Sequence, residues 1–230
     1  MTFILHTISS SPSRYAITPA RFRRITSGRG QNRITIDDGF TACFEPLLAL
    51  TPPQAARVTV FTVTEKIGTR NTWDVHGELA NLQLMGWDQL RQLSRIGVCI
   101  GSHSATHPDL RNLNIAGLER EIDGSKKKIE DKLGIAVTDF CYPFGQYNAQ
   151  IIEQVKRAGY ARAFTTSDSV WEGFGNPYRT RRVEIKGTDP ERMVWLKLSG
   201  LYDAKAVWEL PALVWEKVTG KRKRYKTGTS

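Results

Sequence analysis

Short runs of β-branched and apolar residues alternate along this chain with longer segments whose apolar residues recur every three or four positions. The first pattern is typical of buried strands and the second of amphipathic helices, so the alternation predicts an α/β protein with a largely parallel sheet. Seven runs are predicted as strands: Phe3 to His6, Arg33 to Ile36, Arg57 to Val63, Val98 to Ser102, Asp139 to Tyr142, Tyr160 to Phe164 and Arg181 to Ile185.

Three segments between these strands have the helical pattern and stop at residues that break helices. Pro52 and Pro53 are expected to end the first helix, and Gly97 and Gly134 to end the other two. The predicted helices are Phe40 to Leu50, Trp87 to Ile96 and Asn114 to Leu133.

The length and composition fit one globular domain. With 230 residues, of which 40% are hydrophobic, the chain can bury a substantial core, and α/β barrels commonly form single domains of this size. The net charge of +10 favours an acidic partner, such as a phosphate-bearing substrate or an anionic membrane, or reflects solvated lysines. No nucleic-acid-binding motif accompanies the charge, so specific nucleic-acid binding is not expected.

The chain has no sequence feature of membrane insertion or export. No apolar stretch approaches the length of a transmembrane helix, and the N-terminus lacks the basic region and apolar core of a signal peptide. A cytoplasmic location is therefore expected. Cys43, Cys99 and Cys141 are odd in number and widely spaced, which predicts buried free thiols rather than disulfides.

The last thirty residues differ in character from the rest. Residues 1–200 are predicted to form the barrel, and residues 201–230 a C-terminal helix with a basic tail. Trp208 and Trp215 lie among lysines, and four basic residues follow at 221–224. This segment is either a peripheral helix that contacts anionic lipid or a helix packed on the barrel before a disordered end, and the second interpretation is favoured.

Two pairs of metal-binding residues follow predicted strands, where an α/β barrel places its active site. Asp37 and Asp38 both reach one pocket at a fraying strand end, so one can bind a metal while the other stays free as a base. His103 and His107 are four residues apart and represent half of the histidines in the chain. With Asp38 they form a set that suits Zn²⁺, with Fe²⁺, Co²⁺ or Ni²⁺ as other occupants.

A third segment, Phe140 to Gly145, runs from a strand into proline and glycine. Such a rigid turn is able to aim a backbone N–H at a reaction centre.

In this order, the three segments resemble the motifs of the polysaccharide deacetylase family. Asp37-Asp38-Gly39 is similar to the Thr-Phe-Asp-Asp-Gly motif, His103 to His107 to the His-Ser/Thr-x-x-His motif, and Tyr142 to Gly145 to the Tyr-Pro-Tyr-Gly motif. The resemblance spans roughly residues 3–200. It implies a single-domain, distorted (β/α) barrel of about seven strands and a metal-dependent deacetylase of N-acetylated amino sugars.

The resemblance also implies roles for individual residues. Asp38, His103 and His107 are implied as the metal ligands. Asp37 is implied as the base that takes a proton from a metal-activated water, and the Phe144 backbone N–H as an oxyanion donor. Tyr142 and Pro143 are implied as substrate contacts.

The chain departs from the family pattern in three places. Cys141 replaces the arginine that many members carry at the start of the third motif, and Arg182 is predicted to supply that charge from the next strand. No histidine follows His107, so the Leu-x-His motif and its general acid are missing. His6 is a candidate for substrate contact or for the acid, and protonated Asp37 is another. The region between the first two strands is short, which either opens the groove or removes a wall of it.

Several functions remain open at this stage. The favoured one is N-deacetylation of a nucleotide-linked, lipid-linked or oligomeric amino sugar, in the biosynthesis of a surface polysaccharide. The alternatives are an amidohydrolase acting on a non-sugar C–N bond and a catalytically silent carbohydrate-binding relative. The oligomeric state is not predicted.

Overall fold

The computed structural model describes residues 1–28, 32–166 and 175–202. The predicted basic tail, including Trp208, Trp215 and residues 221–224, lies outside these ranges. By its contacts the chain divides into two compact units, Met1–Gly187 and Thr188–Ser230. No helix in the described part of the chain is long and apolar enough to cross a membrane.

The first unit is built on a curled sheet of seven parallel strands, in the order β8-β7-β6-β5-β4-β1-β9. All seven predicted strands are confirmed, with ends that differ by one or two residues. Two short strands, β2 and β3, form a separate parallel pair that was not predicted. The strands are β1 (Thr2–Leu5), β2 (Thr7–Ile8), β3 (Ala16–Ile17), β4 (Arg33–Ile36), β5 (Val58–Thr62), β6 (Cys99–Ser102), β7 (Asp139–Cys141), β8 (Arg162–Phe164) and β9 (Val183–Glu184).

Helices connect the strands. Among the residues that the structure describes, seven α-helices, α1 to α7, lie in the first unit and α8 lies in the second. The helices are α1 (Pro19–Ser27), α2 (Phe44–Leu48), α3 (Pro52–Ala55), α4 (Trp87–Arg95), α5 (Ile115–Glu119), α6 (Ser125–Leu133), α7 (Ala149–Arg157) and α8 (Glu191–Leu198).

The strands are buried on both faces, as parallel strands covered by helices are. Every residue of β5 is buried, and its register with β4 pairs Ile34 with Val58. The two outer strands, β8 and β9, approach each other through Thr180, which forms a parallel bridge with Phe164. The result is a distorted (β/α) barrel, as expected.

The structure corrects three local predictions. The first predicted helix ends at Leu48, before Pro52 as expected, but Pro52 begins a further short helix, α3, because a helix tolerates proline in its first turn. The predicted helix from Asn114 to Leu133 contains a π-helical segment, Arg120–Gly124, between α5 and α6. Cys99 is exposed rather than buried, while Cys43 and Cys141 are buried free thiols.

A long connection between β5 and α4, residues 66–86, forms a structured loop that we call the cap loop. It is held by antiparallel bridges between Arg70 and Gln83 and between Phe40 and Leu84. Phe40, Leu79 and Leu84 form a small core of their own, against which Tyr15 and Trp73 pack. The cap loop and the segment around Tyr15 therefore form a wall next to the barrel.

Candidate active site

A cavity of about 520 Å³ lies at the carboxyl ends of the strands. It is lined by His6, Asp37, Asp38, His103 and His107, which follow β1, β4 and β6, together with residues of the cap loop. This is the edge at which parallel barrels place their active sites. The structure thus brings the predicted carboxylates and histidines together in one cavity.

The two adjacent carboxylates share the cavity because the chain turns sharply between them. Asp37 N still donates to Leu5 O as part of the sheet, at 3.0 Å. Asp38 has a positive φ of 67°, and Gly39 follows with φ of 77°. A positive φ is unfavourable for aspartate by roughly 1–3 kcal/mol, and such strain concentrates at functional sites. Here it directs both carboxylates inward.

The two histidines are oriented in different ways. His103 donates from Nδ1 to Cys141 O at 2.9 Å, which leaves the Nε2 lone pair facing the cavity. His107 also has a positive φ, of 64°. Its buried Nδ1 has no partner among the described residues. The His107 ring is instead held between Trp73 and Phe144, at centroid distances of 4.7 and 4.6 Å.

Asp38, His103 and His107 form a buried set able to hold a metal. Asp38 Oδ1 lies 3.7 Å from both His103 Nε2 and His107 Nε2. These separations are too long for hydrogen bonds. Two ligands about 2.1 Å from a shared metal lie roughly 3 to 4 Å apart, so the spacing fits a common cation.

A second set, Asp37, His103 and Cys141, has a similar spacing. Arg182, however, already contacts both of its acidic members. Arg182 Nη2 lies 2.8 Å from Asp37 Oδ2 and 3.1 Å from Cys141 Sγ. Because a guanidinium at that position opposes a second cation, the Asp38 set is the more favourable of the two for binding a metal.

Arg182 is completely buried and fully hydrogen-bonded. Its Nη1 donates to Asp37 Oδ1 at 2.6 Å and to Thr35 Oγ1 at 3.0 Å, and its Nε donates to Thr165 O at 3.0 Å. Burial alone would raise the pKa of Asp37, but the charge and hydrogen bonds of Arg182, with the nearby His103, lower it to about 2. Asp37 is therefore a carboxylate at any physiological pH.

The pKa values of Asp38, His103 and His107 instead shift in the directions that favour their neutral forms. Burial, followed by the charges of Asp37 and Asp74, raises the pKa of Asp38 well above its usual value. Burial also lowers the pKa of His103, and lowers that of His107 to about 2 with the help of His103. The imidazoles are thus neutral, which is the state in which histidine binds metals, and a cation bound at this set would stabilise the charge of the Asp38 carboxylate.

The third motif forms a tight turn after β7. Phe144 has a positive φ of 57°, and its backbone N–H donates to no group among the described residues. A side chain at Gly145 would collide with Thr166, whose Oγ1 would lie 2.0 Å from the added Cβ. Tyr142 lines the cavity, although its hydroxyl donates to Tyr178 O. Pro143 is buried and is not among the residues that line the cavity.

His6 lines the same cavity, just after β1. Its ring packs edge-on against Tyr15, with 5.2 Å between centroids. Burial lowers the pKa of His6, although the charge of Asp37 partly opposes this. A neutral imidazole is thus favoured at this position in the free protein.

Sequence reasoning missed the contribution of the cap loop. Trp73, Asp74 and His76 all line the cavity, and Asn71 fixes Asp74 by donating to its Oδ2 at 2.7 Å. The available signal was the length of this connection, because long loops inside compact domains are usually functional.

Comparisons with known proteins agree with this architecture. The family model "Polysaccharide deacetylase" matches residues 26–163. YxkH of Bacillus subtilis (strain 168), named as a polysaccharide deacetylase, is 23% identical over 152 residues, which are 66% of this chain and 50% of YxkH. This chain therefore spans about half the length of that relative.

Two solved structures share the fold. One is the Streptococcus pyogenes deacetylase PplD in complex with acetate, with 16% identity, a TM-score of 0.68 and coverage of 86% of this chain and 96% of that one. The other is BC0361, a polysaccharide deacetylase from Bacillus cereus, with 19% identity, a TM-score of 0.68 and coverage of 88% and 68%. Since the family model matches more than half of its length, this chain belongs to the polysaccharide deacetylase family.

Proposed function

We propose that this protein is a metal-dependent N-deacetylase that hydrolyses the acetamide of an N-acetylated amino sugar. The observation that carries the proposal is that one cavity contains two distinct buried features. One is the Asp38–His103–His107 set, and the other is Asp37, which Arg182 keeps ionised. A metal position beside a separate carboxylate base is the arrangement that metal-assisted amide hydrolysis requires.

Asp38, His103 and His107 would hold the metal, with Zn²⁺ as the first choice and Fe²⁺, Co²⁺ or Ni²⁺ as others. When bound there, the cation supplies Lewis acidity, which lowers the pKa of a water towards about 7. The hydrogen bond from His103 Nδ1 to Cys141 O fixes the ring so that Nε2 would be free to bind the cation.

Asp37 acts as the general base. As water attacks the acetamide carbon, a C–O bond forms and a proton passes to the Asp37 carboxylate. Its low pKa makes Asp37 a weak base, so the transfer depends on a water that is already acidified. The Phe144 N–H, which donates to no described protein group, is available for the developing oxyanion.

The C–N bond then breaks, and the sugar amine needs a proton. Protonated Asp37 is the favoured donor, because it has just received one and its low pKa favours release. The lowered pKa of His6 disfavours an imidazolium there, which supports a role for His6 in hydrogen bonding to substrate rather than as the acid. The products are acetate and the free amino sugar.

The size and the lining of the cavity support the proposal of a saccharide substrate. Its volume of about 520 Å³ is in the usual range for small-molecule sites. Aromatic side chains, Trp73 and Tyr15, occur in its wall beside polar groups such as Asp74. Aromatic rings combined with hydrogen-bonding groups suit the apolar face and the hydroxyls of a sugar.

Acetate release is the direct test. Purified protein is incubated with N-acetylglucosamine oligomers and UDP-N-acetyl sugars, with metal or with chelator. We expect release that needs metal, and we expect Asp37→Asn to reduce kcat by about 10²–10⁴-fold while metal still binds. The matched control is Asp139→Asn, a buried carboxylate at the start of β7 that pairs with Arg33 and Arg162. It should lower stability without a comparable loss of kcat.

The outcomes separate the alternatives. Binding of these sugars without acetate release from any of them would indicate a silent carbohydrate-binding relative. Release of product from cyclic ureides but not from sugars would indicate the non-sugar amidohydrolase.

A further inference from the structure

The metal-ligand loop, residues 103–107, has an unusual backbone. Ser104 and His107 both have positive φ values, of 67° and 64°. Residues between such turns cannot satisfy their backbone groups by helical hydrogen bonds. Within the loop, His107 N donates to Ser104 Oγ at 3.0 Å, and other backbone groups of the loop bind residues outside it.

Residues just after β5 bind two backbone carbonyl groups of the loop. Thr64 N donates to Ser104 O at 3.2 Å, and Glu65 N donates to Ala105 O at 2.9 Å. These bonds fix one side of the loop against the barrel. The N–H groups of Ala105 and Thr106 point away from that side and need a different acceptor.

A single buried carboxylate, that of Glu121, accepts from both. Glu121 Oε2 lies 2.9 Å from Ala105 N and 2.8 Å from Thr106 N, and Glu121 Oε1 accepts from Thr106 Oγ1 at 2.7 Å. Glu121 is only 8% exposed. Its two oxygens thus hold the centre of the loop, between the two metal ligands.

Glu121 lies in the π-helical segment, Arg120–Gly124. A π-helical turn rotates the residues that follow it relative to a regular α-helix, and such turns are frequent at functional sites. Among the described residues, Glu121 is held by its three hydrogen bonds to Ala105 and Thr106.

We infer that Glu121 is a positioning residue for the metal site: it holds the loop between His103 and His107 so that both Nε2 atoms face Asp38. The inference rests on the proposed metal site. Partners that orient metal ligands typically change metal affinity by 10–100-fold when removed. A side chain that only stabilised the helix would not have that effect.

The test measures Co²⁺ binding to the full chain by visible absorption, with Zn²⁺ affinity by competition. Glu121→Ala is expected to raise the metal Kd by about 10–100-fold and to change the Co²⁺ spectrum, while the metal-free protein remains folded. Glu121→Gln keeps an oxygen for the two N–H groups and an amide group that is able to donate to Thr106 Oγ1. It should restore most of the affinity and the wild-type spectrum.

The matched control is Asp123→Ala, which removes a carboxylate from the same π-helical segment. Asp123 Oδ2 accepts from Gln154 Nε2 at 2.6 Å, so it contacts α7 and not the ligand loop. Asp123→Ala should lower the melting temperature and leave the Co²⁺ spectrum and Kd unchanged.

Two results would overturn the inference, and they are distinguishable. If wild type binds metal and Glu121→Ala binds it equally well, Glu121 is structural and the proposed function still stands. If wild type itself binds neither Co²⁺ nor Zn²⁺, the metal site fails and the proposed function fails with it.

Discussion

Arg182, from the segment that enters β9, binds both carboxylate oxygens of Asp37 at the end of β4, at 2.6 and 2.8 Å. The two residues are 145 positions apart in the chain. The guanidinium also lies 3.1 Å from Cys141 Sγ, in the third motif. Arg182 thus brings a positive charge from the segment before β9 to the carboxylate that follows β4 and to the thiol at the end of β7.

Removing this charge should change the pH dependence of the enzyme. In Arg182→Met the long apolar stem is kept, but the pKa of Asp37 is expected to rise from about 2, because the largest contribution that opposes burial is lost. The acidic limb of the kcat/KM profile should therefore move to higher pH. An unchanged acidic limb would show that Asp37 is not the base.

The same variant should be less stable. Breaking one side of a buried ion pair costs about 3–5 kcal/mol. Since the folded-state pKa of Asp37 is depressed, its contribution to stability is present above the unfolded pKa and is lost as pH falls through about 2. Urea unfolding at pH 7 measures the loss. The double variant Cys141→Arg with Arg182→Met, which returns the charge to the third motif, should recover part of it.

Asp38→Asn should stabilise the metal-free protein while abolishing metal binding. Because the pKa of Asp38 is raised in the folded state, its ionised form destabilises the fold at neutral pH, and this effect disappears as pH falls below the raised value. A gain of about 1 kcal/mol corresponds to roughly 2–4 °C at this chain length.

Melting curves with chelator and with Zn²⁺, at pH 5 and pH 7.5, check this prediction. The advantage of asparagine should be larger at pH 7.5 than at pH 5, and added Zn²⁺ should stabilise only wild type. A variant that melts below wild type in chelator at pH 7.5 would contradict it.

Cys141→Ser should leave metal binding unchanged. The thiol lies 3.1 Å from Arg182 Nη2 and is buried, and burial raises the pKa of Cys141 well above its usual value. The Co²⁺ form of wild type should therefore show no thiolate charge-transfer band in the near ultraviolet. His103→Ala, which removes a proposed ligand, should abolish tight binding. A charge-transfer band that Cys141→Ser removes would instead assign the metal to the Asp37–His103–Cys141 set.

Trp73→Leu should weaken metal binding modestly. The His107 Nδ1 has no hydrogen-bond partner in the described part of the chain, so packing against Trp73 and Phe144 holds the ring. Aromatic pairs contribute about 0.5–1.5 kcal/mol, which corresponds to roughly a two- to tenfold rise in the Kd for Co²⁺. Trp87→Leu, at the start of α4 and outside the cavity lining, is the control and should have no effect.

The sequence alone predicted the seven strands and the edge of the sheet where the chemistry lies. Buried parallel strands require continuous apolar runs, and the residues that follow those runs must meet at one end of a barrel. Asp37, Asp38, His103 and His107 were therefore predictable as neighbours. Their local motifs are short enough to read directly from the chain.

Only the tertiary structure decided how these side chains are held and which residues form hydrogen bonds with them. Arg182 donates to Asp37, and Glu121 accepts from the N–H groups of Ala105 and Thr106, although the partners are far apart in the sequence. The π-helical turn around Glu121 and the fold of the cap loop around Trp73 are set by packing, which local propensity and spacing do not encode. The sequence thus determined the chemical groups of the site, and the packing of the barrel decided their charge states and orientation.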